Sequence, residues 1–161
     1  MRRFRQQLPD DEAKAILRNC TGGVLSLVGS DGRPYGVPMS YAFDGESAIF
    51  FHCAPEGKKL DCVDFSPNAS FCVIERDEVQ PSTFTTHYRS AIAQGRVRRV
   101  DDADRKEAAL RLLAGKYSPG FDPEGEIAGA LSRVVVLRFD IETLTAKEAI
   151  ELVRQKNVET P

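Results

Sequence analysis

Apolar and polar positions along this chain follow two periods, and the switches between them divide it into elements. In "LPDDEAKAILRNC", Leu8, Ala13, Ile16 and Leu17 fall close to one helical stripe behind Pro9 and two aspartates, which predicts a short amphipathic helix. The next stretch, "GVLSLVGSDGRPYGVPMSYAFDGESAIFFHC", reads as three strands separated by Asp31-Gly32 and Asp44-Gly45, dipeptides suited to the positive φ angles of tight hairpins. An antiparallel meander is expected there.

Helix-like spacing returns in "EGKKLDCVDF" at Leu60, Val63 and Phe65, and Ser66-Pro67-Asn68 ends it before a fourth strand, "ASFCVIERDEV". A polar loop, "QPSTFTTHY", leads to a fifth strand in "RSAIAQGRVRRVDD", with Arg96 and Arg98 on one face and Val97 on the other. "DDADRKEAALRLLAGKYSPG" is acidic at its start and carries lysine before a Ser-Pro-Gly stop, so both ends complement a helix dipole; Ala108, Leu112 and Leu113 lie along one side. A shorter helix in "DPEGEIAGALS" precedes a last strand, "RVVVLRFDIETLTAKEA".

Hairpins early in the chain, with no regular strand-helix-strand alternation, argue against a doubly wound parallel sheet. They predict a mainly β (α+β) fold, an antiparallel β-barrel of six strands with peripheral helices. No GxGxxG or Walker pattern occurs. A chain of 161 residues suits a single domain, here with its core over about 8–148 and a tail over 149–161.

Charge narrows the choice of partner. The net charge is -2, without the basic excess of a nucleic-acid binder, and Asp101, Asp102 and Asp104 offset Arg96, Arg98 and Arg99. No run of eighteen apolar residues suggests a membrane span, and the basic start "MRRFRQQ" is followed by no apolar leader. Cys20, Cys53, Cys62 and Cys72 form no CxxC pair, which favours a reducing compartment, so a cytoplasmic protein is expected.

The chemistry-bearing residues concentrate in "IFFHCAPEGKKLD" and "TTHYRSAIAQG". On a strand, His52 and Cys53 point to opposite faces, which rules out a neighbouring Cys-His dyad. The cysteines and histidines lack the paired short spacings of a zinc site, so no metal is expected. Ile49 and Phe51 on one side and Phe50 on the other call for a second layer over the strand, from a helix, a partner subunit or a planar ligand. Lys58 and Lys59 stand where a helix begins; they read either as a solvated face or as an anion site, since free N-H groups and the helix dipole attract a phosphate there. Thr85, Thr86 and Ser90 offer hydroxyls, and Arg89 a fork able to grip a phosphate.

With these motifs in view, the chain resembles the split-barrel flavoproteins related to pyridoxamine 5'-phosphate oxidase, in particular the nitroimidazole-resistance branch. "PYGVPMSY", "FHCAPEGKKLD", "NASFCV" and "YRSAIAQG" carry the resemblance, which covers roughly 8–148. It implies a six-stranded split barrel of the FMN-binding type and a homodimer with FMN at the subunit interface. By position in the motifs, Lys58 and Lys59 would hold the flavin phosphate, and His52 and Cys53 would lie beside the cofactor. Val37, Pro38, Met39 and Ser40 would line the ring, with Ser90 and Arg89 also at the site.

The implied activity is that of an oxidoreductase reducing nitroaromatic or similar planar acceptors, with a reduced nicotinamide as donor and His52 as the catalytic candidate. The alternative is a flavin or haem carrier or sensor of the same fold, in which His52 or His87 would ligate the iron. The substrate-binding signature of the oxidase proper is absent from the C-terminal part, so vitamin B6 oxidation is not implied.

Overall fold

The computed structural model describes residues 4–159, with side chains as far as residue 155. The first three residues of the basic lead and the last two of the tail fall outside this range. Seven strands form one antiparallel sheet: β1 (Gly22–Val28), β2 (Pro34–Ser40), β3 (Ala42–Phe43), β4 (Ala48–Cys53), β5 (Asn68–Gln80), β6 (Thr85–Arg99) and β7 (Val135–Glu148). Their order is β2-β1-β5-β6-β7-β4-β3, so β2 and β3 are the two edges of an unclosed barrel. The strand beyond the six expected is the two-residue β3, too short to show as a periodic pattern.

Both predicted hairpin turns form, with Gly32 and Gly45 at positive φ. Their aspartates do the tying. Asp44 accepts the amides of Glu46, Ser47 and Ala48 at 2.8, 2.9 and 3.0 Å, and Asp31 accepts that of Arg33 at 3.0 Å. Glycine is required at Gly95, where the β6–β7 register shifts: a Cβ would lie 2.0 Å from the carbonyl oxygen of Asp140.

The alternation read in the sequence sorts side chains between two cores. Leu25, Phe51, Phe71, Val73, Val97 and Phe139 fill the barrel, with Phe71 edge-on to Tyr41 and Phe51 at centroid distances of 4.8 and 5.1 Å. On the outer face a smaller cluster joins Val100 and Val136 to Leu110, Leu113 and Ile127 of α3 (Ala103–Tyr117) and α4 (Glu124–Ala130). The second layer over Phe50 is therefore helical.

Two expected helix faces and one expected loop are corrected by the structure. In α2 (Lys58–Phe65), Cys62 rather than Phe65 joins Leu60 and Val63 inside, leaving Phe65 55% exposed. In α3, Ala109, Leu110 and Leu113 are buried while Ala108 is exposed and Leu112 partly so, a rotation of the expected face. The "polar loop" from Thr85 to Tyr88 is already strand, because it pairs with Gln80 to Asp77 of β5. The tail forms α5 (Ile150–Glu159). No helix among the described residues is long and apolar enough to cross a membrane.

Helix α1 (Asp10–Asn19) begins with Asp10, Asp11 and Glu12 and buries Ala13, Ile16 and Leu17 against the barrel. Asp102 caps α3 by accepting the Arg105 amide at 2.9 Å. The far end of α3 is fastened to the sheet by Tyr117, whose hydroxyl accepts the Tyr41 amide at 2.8 Å and reaches the carbonyls of Tyr41 and Thr21. Beside it the Lys116 ammonium lies 3.8 Å from the centroid of the Tyr41 ring, and burial lowers its pKa.

Candidate functional site

The chain leaves β4 at Cys53 and turns through Gly57, the N-cap of α2, where no side chain caps the helix. The N-H groups of its first turn are thus free of side-chain partners, and Lys58 and Lys59 stand at this end. Both lysines reach towards β2. Lys58 Nζ lies 5.0 Å from the centroid of the Tyr35 ring, and Lys59 Nζ lies 3.1 Å from Met39 Sδ. A thioether is a weak acceptor for an ammonium group, so Lys59 rests there with no acidic partner at ion-pair distance among the described residues.

Among the described residues, strand β2 pairs only with β1, which leaves its other edge without a strand partner. Val37 is half-buried against the barrel core and Met39 buried within it, while Pro38 and Ser40 are exposed. Cys53 also packs against the barrel core. Burial raises its thiol pKa, with Lys59 and Arg99 pulling the other way. Lys58, Lys59, Cys53 and the strand from Val37 to Ser40 therefore come together at the seam of the barrel.

His52 points outward, away from Cys53, as strand alternation requires. It lines a cleft of about 350 Å³ together with Ser40, Leu113, Tyr117, Glu126 and Ile127. Ser40 and His52 thus link the seam to an apolar recess between α3 and α4. Sequence reasoning missed Tyr117, Glu126 and Tyr35; only Tyr35, inside "PYGVPMSY", had a local signal.

Ser90 and Arg89 stand on β6, separated from β2 by β1 and β5, close to the row that runs from Pro38 through Val24 and Cys72 to Ile92. Arg99, at the end of β6, is close to Cys53 and α2. The Arg89 guanidinium is engaged by Glu12 at 2.8 Å, Glu75 at 2.5 Å and Glu148 at 3.6 Å. His87 sits opposite Glu78 on the projecting β5–β6 ribbon, apart from His52. Among the described residues, no group of three or more His, Cys, Asp or Glu side chains is arranged to hold a metal.

Comparison with solved structures supports this architecture. A putative 5-nitroimidazole antibiotic resistance protein from Bacteroides thetaiotaomicron superposes with a TM-score of 0.75 at 20% identity, over 88% of this chain and 86% of that one. An FAD-binding protein from Mesorhizobium loti gives 0.66 at 24% identity, over 89% and 97% of the two chains. An FAD and haem binding protein from Mycobacterium smegmatis gives 0.75 at 19% identity, over 90% and 73%. No curated protein matches in sequence. The family described as pyridoxamine 5'-phosphate oxidase matches residues 9–148, a span that includes the seam, both lysines and the whole sheet, and the chain belongs to that family.

Proposed function

We propose that the protein binds FMN at the seam between β2 and the β4–α2 connection, and that it reduces nitroaromatic or similar planar acceptors. The observation that carries this reading is Lys59: an ammonium group resting on a thioether, beside an uncapped helix start and an open strand edge. A phosphate there would accept from both lysines and from the first N-H groups of α2. The unpaired edge of β2 offers backbone groups to a planar ring. When bound, the flavin supplies hydride transfer. This chain's residues position the acceptor: Leu113 and Ile127 give the cleft apolar walls, and His52 at its mouth can donate a proton to the reduced acceptor.

The same reading makes the protein a homodimer. One feature supports it. The β5–β6 ribbon runs past its neighbours, because β1 pairs with β5 only as far as Cys72 and β7 reaches β6 only to Arg89. Ile74, Val79 and Phe84 are 61%, 70% and 98% exposed on it. A two-stranded ribbon with such a surface gains stability from a covering partner.

The FAD-binding proteins of the same fold make FAD a second reading, with its phosphates at the same lysines. Reconstitution of the purified protein with FMN and with FAD, followed by anaerobic reduction with a nicotinamide donor and reoxidation by a nitroaromatic, tests both. Tight FMN uptake and turnover are expected. Preferential FAD uptake supports the second reading, flavin that no donor reduces leaves a carrier, and failure to take up either flavin overturns the assignment.

A further inference from the structure

The outer face of the sheet carries another cavity, on the opposite flank of α3 from the His52 cleft. It measures about 610 Å³, has Phe50, Val100 and Leu112 among its apolar walls, and is rimmed by Arg98, Arg105 and Arg138. This volume falls within the usual range for small-molecule sites.

The charges there are out of balance. Arg98 and Arg138 are direct cross-strand partners on β6 and β7, an arrangement that like charges disfavour. Asp140 answers both, accepting from Arg98 Nε at 3.2 Å and from Arg138 Nε at 2.5 Å. Burial alone would raise the pKa of Asp140, but the two arginines outweigh it and hold its carboxyl below the usual range. Each strand arginine spends only Nε on Asp140, so their terminal nitrogens make no hydrogen bond among the described residues. Arg105 adds a third cation from α3, and its side chain forms no ion pair among them. Of the acids near it in the chain, Asp102 is committed to capping, Glu107 pairs with Arg111, and Asp101 and Asp104 are not at ion-pair distance from it among the described residues. Three guanidinium groups thus line the cavity, with Asp140 the carboxylate bonded to two of them. Beside them lies the Phe50 ring, 5.6 Å from the Arg138 guanidinium carbon.

We propose that this cavity is a second ligand site, for an organic dianion with an aromatic body, of which an aryl phosphate is the type. The charged end would take the free guanidinium nitrogens of Arg98, Arg105 and Arg138, and the ring would lie against Phe50, Val100 and Leu112. The site is independent of the flavin assignment. It uses neither lysine and opens on the other side of α3.

Calorimetric titration of the full chain with phenyl phosphate tests it, with inorganic phosphate as the probe lacking a ring. Saturable binding at one site per chain is expected, at least tenfold weaker for inorganic phosphate. Arg105→Ala should weaken phenyl phosphate on the order of tenfold or more, as expected for loss of one charge-assisted contact. Arg105 is exposed and unpaired, so this variant should fold, which its melting curve checks. Arg111→Ala, on α3 but outside the cavity lining and paired with Glu107 and Glu124, should leave the titration unchanged. The proposal is overturned by absence of saturable binding, by equal affinity for inorganic phosphate, or by binding lost in Lys59→Ala and kept in Arg105→Ala. It is also overturned if phenyl phosphate fails to bind and Arg105→Ala alters the oligomeric state, which would make the arginines a subunit contact.

Discussion

Two cationic groups, Arg89 on β6 and the lysine pair at the start of α2, both look like phosphate grips in the sequence. Around Arg89 the fold gathers Glu12, Glu75 and Glu148, and the arginine side chain is only 20% exposed. Around Lys58 and Lys59 it brings an aromatic ring and a thioether and, among the described residues, no carboxylate at ion-pair distance. One cation is neutralised within the fold; the other pair is not, which is what the proposed phosphate site requires. A positive residue in a motif therefore says little about ligand binding until its counter-charges are located.

The sharpest way to break this comparison is Arg89→Ala. It leaves the carboxylates close together and, at Glu148, nearly enclosed, so it should cost about 3 kcal/mol of stability. Urea denaturation checks this, and a loss under about 1 kcal/mol would mean the cluster is well solvated. Lys59→Ala should do the reverse, leaving stability unchanged while weakening FMN by about 2 kcal/mol in a fluorescence titration. Unchanged FMN affinity would remove the phosphate assignment.

The ribbon at the Arg89 end supplies a third contrast. Phe84→Ser should leave the subunit's own stability within about 0.5 kcal/mol, because the ring touches little in one chain. It should weaken the proposed homodimer by on the order of 1.5 kcal/mol, read by sedimentation velocity or equilibrium ultracentrifugation. An unchanged dimer would place the interface elsewhere.

The smallest effect belongs to the ion pair at the lysine end, where Arg99 holds Asp64 at 2.6 Å with the aspartate side chain 53% exposed. The hydrogen bond from Arg99 depresses the Asp64 pKa, so its contribution is present above the unfolded carboxylate range and is lost as pH falls through the folded value. Asp64→Asn should cost at most about 1 kcal/mol near neutrality. The difference from wild type should shrink as pH falls through the depressed folded value, in melting curves recorded across the acid range. A difference that persists there would show a packing effect instead.

Much of this was readable in advance, for local reasons. Turn dipeptides and alternation located six of the seven strands, since hairpin chemistry and burial on one face leave marks within a few residues. The lysine pair and the strand "GVPMS" were likewise placed through contiguous motifs. The helix faces were not: in α3 the buried side depends on where Val100 and Val136 present their own side chains. Tyr117 was invisible because its partners, Tyr41 and Thr21, are remote in the chain and are joined to it by the fold alone.

The sequence by itself determined the class of fold, the family and the placing of two lysines at the start of α2, because each rests on short-range periodicity or on adjacent residues. Only the tertiary structure decided which charges are already neutralised, which face of β4 carries His52 into a cleft, and that three arginines from β6, β7 and α3 surround one cavity. Those outcomes depend on electrostatics and packing between distant segments, and Coulomb interactions act over distance in space whatever the separation along the chain.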